Sequence, residues 1–185
     1  MRSIIATVLL IACSLPVAAA PRALEPAESE IAFSVKQMGV AVSGTFSRFD
    51  AKIDLDGARP EASSAQISVD IASLSTGDED ADGIALDKPW LDRLGFPKAT
   101  FKSSAVRALA QGRYEARGLL TIRGVSRDIT VPFNTREQAD KRTLISGSFT
   151  IKRADFGIGG GEWNEGDLVA ADVPVTFKLM LAPPQ

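Results

Sequence analysis

The chain holds no histidine and one cysteine, Cys13. Without an imidazole it has no neutral-pH general base of that kind, and a Ser-His-Asp triad, a Cys-His dyad and a Cys/His zinc site are all excluded. Carboxylates remain. Glu162, Glu165 and Asp167 cluster around Trp163, and two carboxylates beside an aromatic sugar platform are the minimum a glycosidase needs. The same stretch, Gly159-Gly160-Gly161-Glu162-Trp163-Asn164-Glu165-Gly166, also reads as a loop built for positive φ. Asp78-Glu79-Asp80-Ala81-Asp82-Gly83 copies the first half of an EF-hand loop. Leu86 and Pro89 stand where its ninth and twelfth positions need ligands, so a solvated acidic turn is expected and no metal. A Ser-Lys pair would need a buried lysine. Lys36, Lys102 and Lys152 fall opposite their apolar neighbours and read as surface groups. Arg123, Arg127 and Arg153, near strand ends, read as solubilising charge, with an anionic head-group site as the alternative.

The elements that carry these residues follow a two-residue period. Ile31, Phe33 and Val35 share one face, as do Val40, Val42 and Phe46, then Phe49, Ala51, Ile53 and Leu55. Similar runs are Ile67, Val69 and Ile71; Tyr114, Ala116, Leu120 and Ile122; Ile129, Val131 and Phe133; and Ile145, Gly147, Phe149 and Ile151. The longest is Val169, Ala171, Val173, Val175, Phe177, Leu179 and Leu181. Such alternation marks half-buried antiparallel strands. The switch from even to odd positions between Phe46 and Phe49 requires a bend near Ser47-Arg48, because a one-residue slip reverses every side chain. Leu74 to Pro97 lacks the strand pattern and is expected to hold one or two short helices around Ala85–Leu94.

Roughly eight strands with little helix must solve the edge problem by closing or by stacking, and a final strand apolar at seven alternate positions suits the wall of a barrel. Small barrels are either filled by their own side chains or hold one small apolar ligand. The pattern leaves both open. With 21 Lys and Arg against 23 Asp and Glu there is no basic surplus for phosphates, so nucleic acid is not expected as a partner.

Residues 1–19 have the layout of a cleaved signal peptide: Arg2, an apolar run from Ile4 to Leu15, the breaker Pro16, and Val17 and Ala19 at the cleavage positions. That run is too short to span a bilayer. Leu10-Ile11-Ala12-Cys13 offers the rival reading of a lipoprotein acylated at Cys13. Residues 20–28 form a short extension before a single domain over 29–183.

Several segments together resemble the YceI-like, polyisoprenoid-binding periplasmic proteins of proteobacteria. They are Ser29-Glu30-Ile31-Ala32-Phe33-Ser34-Val35-Lys36-Gln37-Met38-Gly39-Val40 and Gly44-Thr45-Phe46-Ser47-Arg48-Phe49. Ala72-Ser73-Leu74-Ser75-Thr76-Gly77 with Asp82 follows, then Trp90-Leu91-Asp92 and Phe96-Pro97-Lys98-Ala99-Thr100-Phe101-Lys102-Ser103. Gly118-Leu119-Leu120-Thr121-Ile122-Arg123-Gly124-Val125-Ser126-Arg127 and Arg153-Ala154-Asp155-Phe156-Gly157-Ile158-Gly159-Gly160-Gly161-Glu162-Trp163 complete the set. The resemblance implies an all-β, extended lipocalin-like antiparallel barrel whose interior holds an isoprenoid, prenyl quinone or fatty-acyl amphiphile. It implies a periplasmic carrier with no catalysis and no cofactor, and transient membrane contact for loading. Many relatives carry histidine where Gln37 and Arg123 stand, so any role of those imidazoles does not transfer. Alternation and aromatic size nominate Phe33, Val35, Phe46, Phe101, Phe133, Phe149 and Phe177 as tunnel wall and Trp90 and Trp163 as its mouth. An envelope hydrolase, a filled barrel that binds a partner, and a homodimer stay open at this point.

Overall fold

The alternating runs become strands of one antiparallel sheet in the computed structural model, which describes residues 22–110, 112–160 and 168–184. The strands are β1 (Glu30–Gln37), β2 (Val40–Phe46), β3 (Phe49–Asp54), β4 (Ser64–Asp70), β5 (Leu74–Ser75), β6 (Lys98–Ala110), β7 (Arg113–Ile122), β8 (Val125–Glu137), β9 (Thr143–Lys152) and β10 (Asp172–Leu181). Their order across the sheet is β3-β4-β6-β7-β8-β9-β10-β1-β2-β5.

These ten strands act as eight staves. β2 runs on into β3 through the expected bend, and β4 runs on into β5 through a 3-10 turn at Ile71–Ser73, so the two bent staves pair along their length. The bend is pinned where the Ser47 N–H donates to the Ser73 carbonyl at 3.2 Å and the Arg48 Nε donates to the Asp70 carboxylate at 2.9 Å. The chain before β1 completes the circle. Leu24 bridges to Leu181 on one side and Arg22 to Ile53 on the other, joining the last stave to the second. The lipocalin-like barrel is therefore the fold.

The lower end holds a tightly buried cluster. Ile31, Ile53, Ile145, Leu179 and Leu181 form one core, with Leu181 at 0% and Leu179 at 1% exposure. At the upper end lie the Met38-Gly39 and Arg123-Gly124 turns, the segment between β5 and β6, and residues 153–160 and 168–171.

Two prolines open the wall at that upper end. Thr135 in β8 donates to Gly112 on the β7 side, so Pro132, three residues earlier, lacks its donor on the β9 side. The β8–β9 ladder accordingly stops at Phe133 and Gly147. In β10, Ala171 accepts from Arg153 on the β9 side, which directs the missing donor of Pro174 toward β1. The β1–β10 ladder stops at Phe33 and Val175. The gaps are closed by other chain. Phe156, 2% exposed, packs beside Val125 and Ile129, and Val169 bridges Gln37.

Three expectations need correction. The helix, α1, spans Glu79–Leu86 rather than Ala85–Leu94. Asp78 caps it by accepting from the Asp80 and Ala81 N–H groups, and acidic residues fill its first turn, where they suit the helix dipole. The acidic stretch is thus a helix start and not a free turn, and among the described residues no cluster is placed to hold a metal. β6 is missing from the alternating runs because its register slips between Ser103 and Ala105, so its apolar residues change parity from Phe101 to Val106. The last strand begins at Asp172, with Val169 belonging to the separate bridge and Ala171 exposed.

Candidate functional site

Above the packed end the barrel is hollow. A cavity of about 370 Å³ runs from the level of Ile53, Ile145 and Leu179 up to Ala81, Ile84 and Ala85 of α1, and to Ile158 and Val169 across from it. That volume lies within the range of about 300–1,000 Å³ usual for small-molecule sites. The lining is almost wholly apolar, with Gln37, Thr76 and Arg153 toward the top, Thr100 along the wall, and Asp54, Ser63 and Ser64 at the bottom.

Phe33, Val35, Phe46, Phe101, Phe133, Phe149 and Phe177 all line this cavity. All seven are only half-buried although they point inward. In a filled barrel such side chains would approach full burial, as Phe156 does where it plugs the wall. Their remaining exposure is therefore to the hollow itself. Two aromatic contacts brace the wall: Phe33 and Phe46 are tilted with centroids 5.7 Å apart, and Tyr114 stacks on Phe133 at 5.3 Å.

Trp90 lines the cavity from the segment after α1, and its ring lies 5.7 Å below the Arg153 guanidinium carbon. Trp163, with Glu162, Glu165 and Asp167, lies outside the described residues.

Sequence reasoning misplaced Arg153. It is 2% exposed and not a solubilising charge. Nη1 donates to the Ile158 and Gly159 carbonyls at 3.0 and 2.9 Å, Nη2 to Val169 at 3.0 Å and Nε to Ala170 at 3.2 Å. Burial pulls its pKa below the ordinary arginine value. One cation thus ties 158–159 to 169–170 at the top of the barrel. Gly159 makes room for it. Its φ is +67°, and a Cβ there would stand 2.7 Å from Nη1 and 3.0 Å from Trp90. A signal for this burial exists in the sequence, because Arg153 continues the inward odd parity of Ile145, Gly147, Phe149 and Ile151. Arg123 is half-buried, donating to the Lys88 carbonyl at 3.0 Å, while Arg127, Lys36, Lys102 and Lys152 are exposed.

The upper end also carries exposed apolar side chains: Met38 at 74%, Val40, Ile84, Leu94 at 90% and Leu168. Ile84 belongs both to this rim and to the cavity lining. The Met38 N–H donates to the Leu168 carbonyl at 2.8 Å, which sets those two side by side. Among the described residues no helix is long and apolar enough to cross a membrane.

Comparison with known proteins places this architecture. The sequence profile of the YceI-like domain matches residues 23–181. A UPF0312 protein of Pseudomonas syringae pv. tomato is 30% identical over 152 residues, covering 79% of this chain and 78% of that protein. The crystal structure of Burkholderia cenocepacia BcnA superposes with a TM-score of 0.83 at 34% identity, over 86% of this chain and 99% of that one. A polyisoprenoid binding domain from Saccharophagus degradans, implicated in plant cell wall breakdown, has the same fold at a TM-score of 0.69 and 18% identity, over 89% of this chain and 99% of that one.

Proposed function

This chain belongs to the YceI-like domain family, and we propose that it is a non-catalytic binding protein that shelters the hydrocarbon tail of an isoprenoid, a prenyl quinone or a fatty-acyl amphiphile inside its barrel. The observation that carries this reading is the ring of inward-facing but half-buried Phe and Val side chains around an apolar cavity above a sealed floor. The polyisoprenoid-binding domain that shares the fold adds to it. So does the lack of any imidazole, together with a lining that offers hydrocarbon far more than it offers acid or base.

Withdrawing a CH₂ group from water is worth roughly 0.8 kcal/mol. A bilayer offers a tail about the same, so the barrel gains nothing over a membrane from hydrophobicity alone. Discrimination falls to bore, length and the polar groups at either end. Entry falls to the rim. Met38, Val40, Ile84, Leu94 and Leu168 would touch a bilayer briefly and let a tail pass without crossing water. Residues 1–19 would direct export to the periplasm, where such a shuttle has membranes to work between.

The test is mass spectrometry of an organic extract from freshly purified protein. A stoichiometric prenyl or acyl species is expected. An empty extract, with no uptake of a prenyl quinone or polyprenol added afterwards, overturns the reading in favour of a barrel that binds a protein partner. Phe133→Asp sets a charge in the wall and is expected to abolish retention while far-UV circular dichroism is preserved.

A further inference from the structure

Three glycines in regular strands need an explanation that turn geometry does not supply. Gly44, Gly118 and Gly147 lie in β2, β7 and β9, and none has a positive φ. A glycine inside a strand weakens it, so each occupies its place at a cost. All three share the inward parity of their strands, and each has a wall phenylalanine over it. A Cβ on Gly44 would lie 2.5 Å from Cζ of Phe33, its cross-strand partner. On Gly147 it would lie 2.6 Å from Cζ of Phe177, again the paired residue. On Gly118 it would lie 2.7 Å from Cζ of Phe101 on the neighbouring strand.

We infer that these glycines set the bore of the tunnel: each provides a recess in which a phenylalanine ring lies flat against the wall, leaving the axis clear for a hydrocarbon chain. The inference rests on the lipid-binding reading above and names the residues that decide which chains fit. An inward ring must occupy either the wall or the lumen. A methyl group at the recess removes the first choice, so the ring swings across the bore.

Gly44 is where this can be tested cleanly. Its next nearest neighbour after the Phe33 ring is the Ser75 carbonyl at 3.1 Å, an approach that a small shift relieves. At Gly118 and Gly147 the added Cβ would also stand 2.4 Å from a backbone carbonyl, of Lys102 and Pro132 respectively, so substitution there threatens the ladder itself.

The experiment measures binding of farnesol, geranylgeraniol and solanesol to the full chain and to Gly44→Ala, Phe33→Leu and Gly44→Ala/Phe33→Leu, with circular dichroism as the check on folding. Gly44→Ala is expected to lose roughly tenfold or more in affinity for the longer alcohols relative to farnesol, equivalent to about 1.4 kcal/mol. Phe33→Leu alters the wall itself and serves as the background: adding Gly44→Ala to it is expected to leave its length profile unchanged, because leucine has no ring to displace. A folded Gly44→Ala with the parent's profile overturns the inference and leaves lipid binding intact. Failure of the parent to bind any of the three alcohols removes lipid binding and the inference with it. If Gly44→Ala does not fold, a folded double variant with the profile of Phe33→Leu still shows that methyl and ring compete for one space. A double variant that also fails to fold overturns the inference, since backbone rather than the ring then excludes the methyl.

Discussion

The two ends of this barrel are written in the same alternating code and come out differently. At the lower end Ile31, Ile53, Ile145, Leu179 and Leu181 pack into one buried cluster that floors the hollow. Two residues further along β1 and β10, Phe33 and Phe177 point the same way and stay half-exposed. Branched aliphatic residues of similar size can interdigitate when they face one another. Phenylalanines folded back over glycine cannot reach across. The lesson is that period two fixes which side chains face inward, while the residue opposite decides whether they meet.

That contrast can be broken by substitution, most severely at the packed end. Leu181→Ala removes a fully buried side chain from a closed core and should cost about 2–5 kcal/mol of stability, read as a lower urea midpoint with unchanged slope. A loss no larger than that of a hollow-end substitution would show that the lower core is not tight. Next is the latch over the hollow. Arg153→Met takes this donor from the carbonyls of Ile158, Gly159, Val169 and Ala170, and should cost about 1–3 kcal/mol once those at the rim have turned to water. Amide exchange should accelerate at 158–160 and 168–170 before it does in β9 or β10.

A smaller effect is expected in the hollow. Phe149→Ala removes a half-buried ring and should cost only about 1 kcal/mol, yet shift ligand selection more than Leu181→Ala does. Equal destabilisation at both positions would erase the distinction between the ends. Smallest is the response to acid. Arg48 hydrogen-bonds Asp70 at the barrel's bend, and the Thr76 hydroxyl hydrogen-bonds Asp82 near its top; each partner holds its carboxyl below the usual range. A depressed folded pKa stabilises at pH above the unfolded value, near 3.9, and that contribution disappears as pH falls below it. Thermal melting of the parent should therefore decline below about pH 4, and Asp70→Asn should flatten part of that slope.

Much of the wall was legible in the residues, because burial on one face leaves a plain two-residue trace. The bend at Ser47-Arg48 was legible for the same reason: a parity switch has no other cheap explanation. What escaped were the places where two rules met. β6 hid because its bulge changes parity inside one strand. α1 hid because Asp78 and the acids after it look like a metal loop until the capping bonds are seen. Arg153 hid because charge type outweighed its position in the pattern. The hollow was not legible in the alternation alone, and only the family resemblance implied it. Emptiness depends on what stands across the barrel, and cross-strand register between distant segments leaves no local mark.

The closure of the ring by Leu24 against Leu181 and Arg22 against Ile53 has a kinetic consequence. The first and last staves are neighbours, so the contacts that complete the wall join opposite ends of the polypeptide. Their high contact order predicts slow folding, and a growing or truncated chain must keep two raw sheet edges until Asp172–Leu181 arrives. Deleting the last stave should therefore yield an aggregating fragment rather than a smaller barrel.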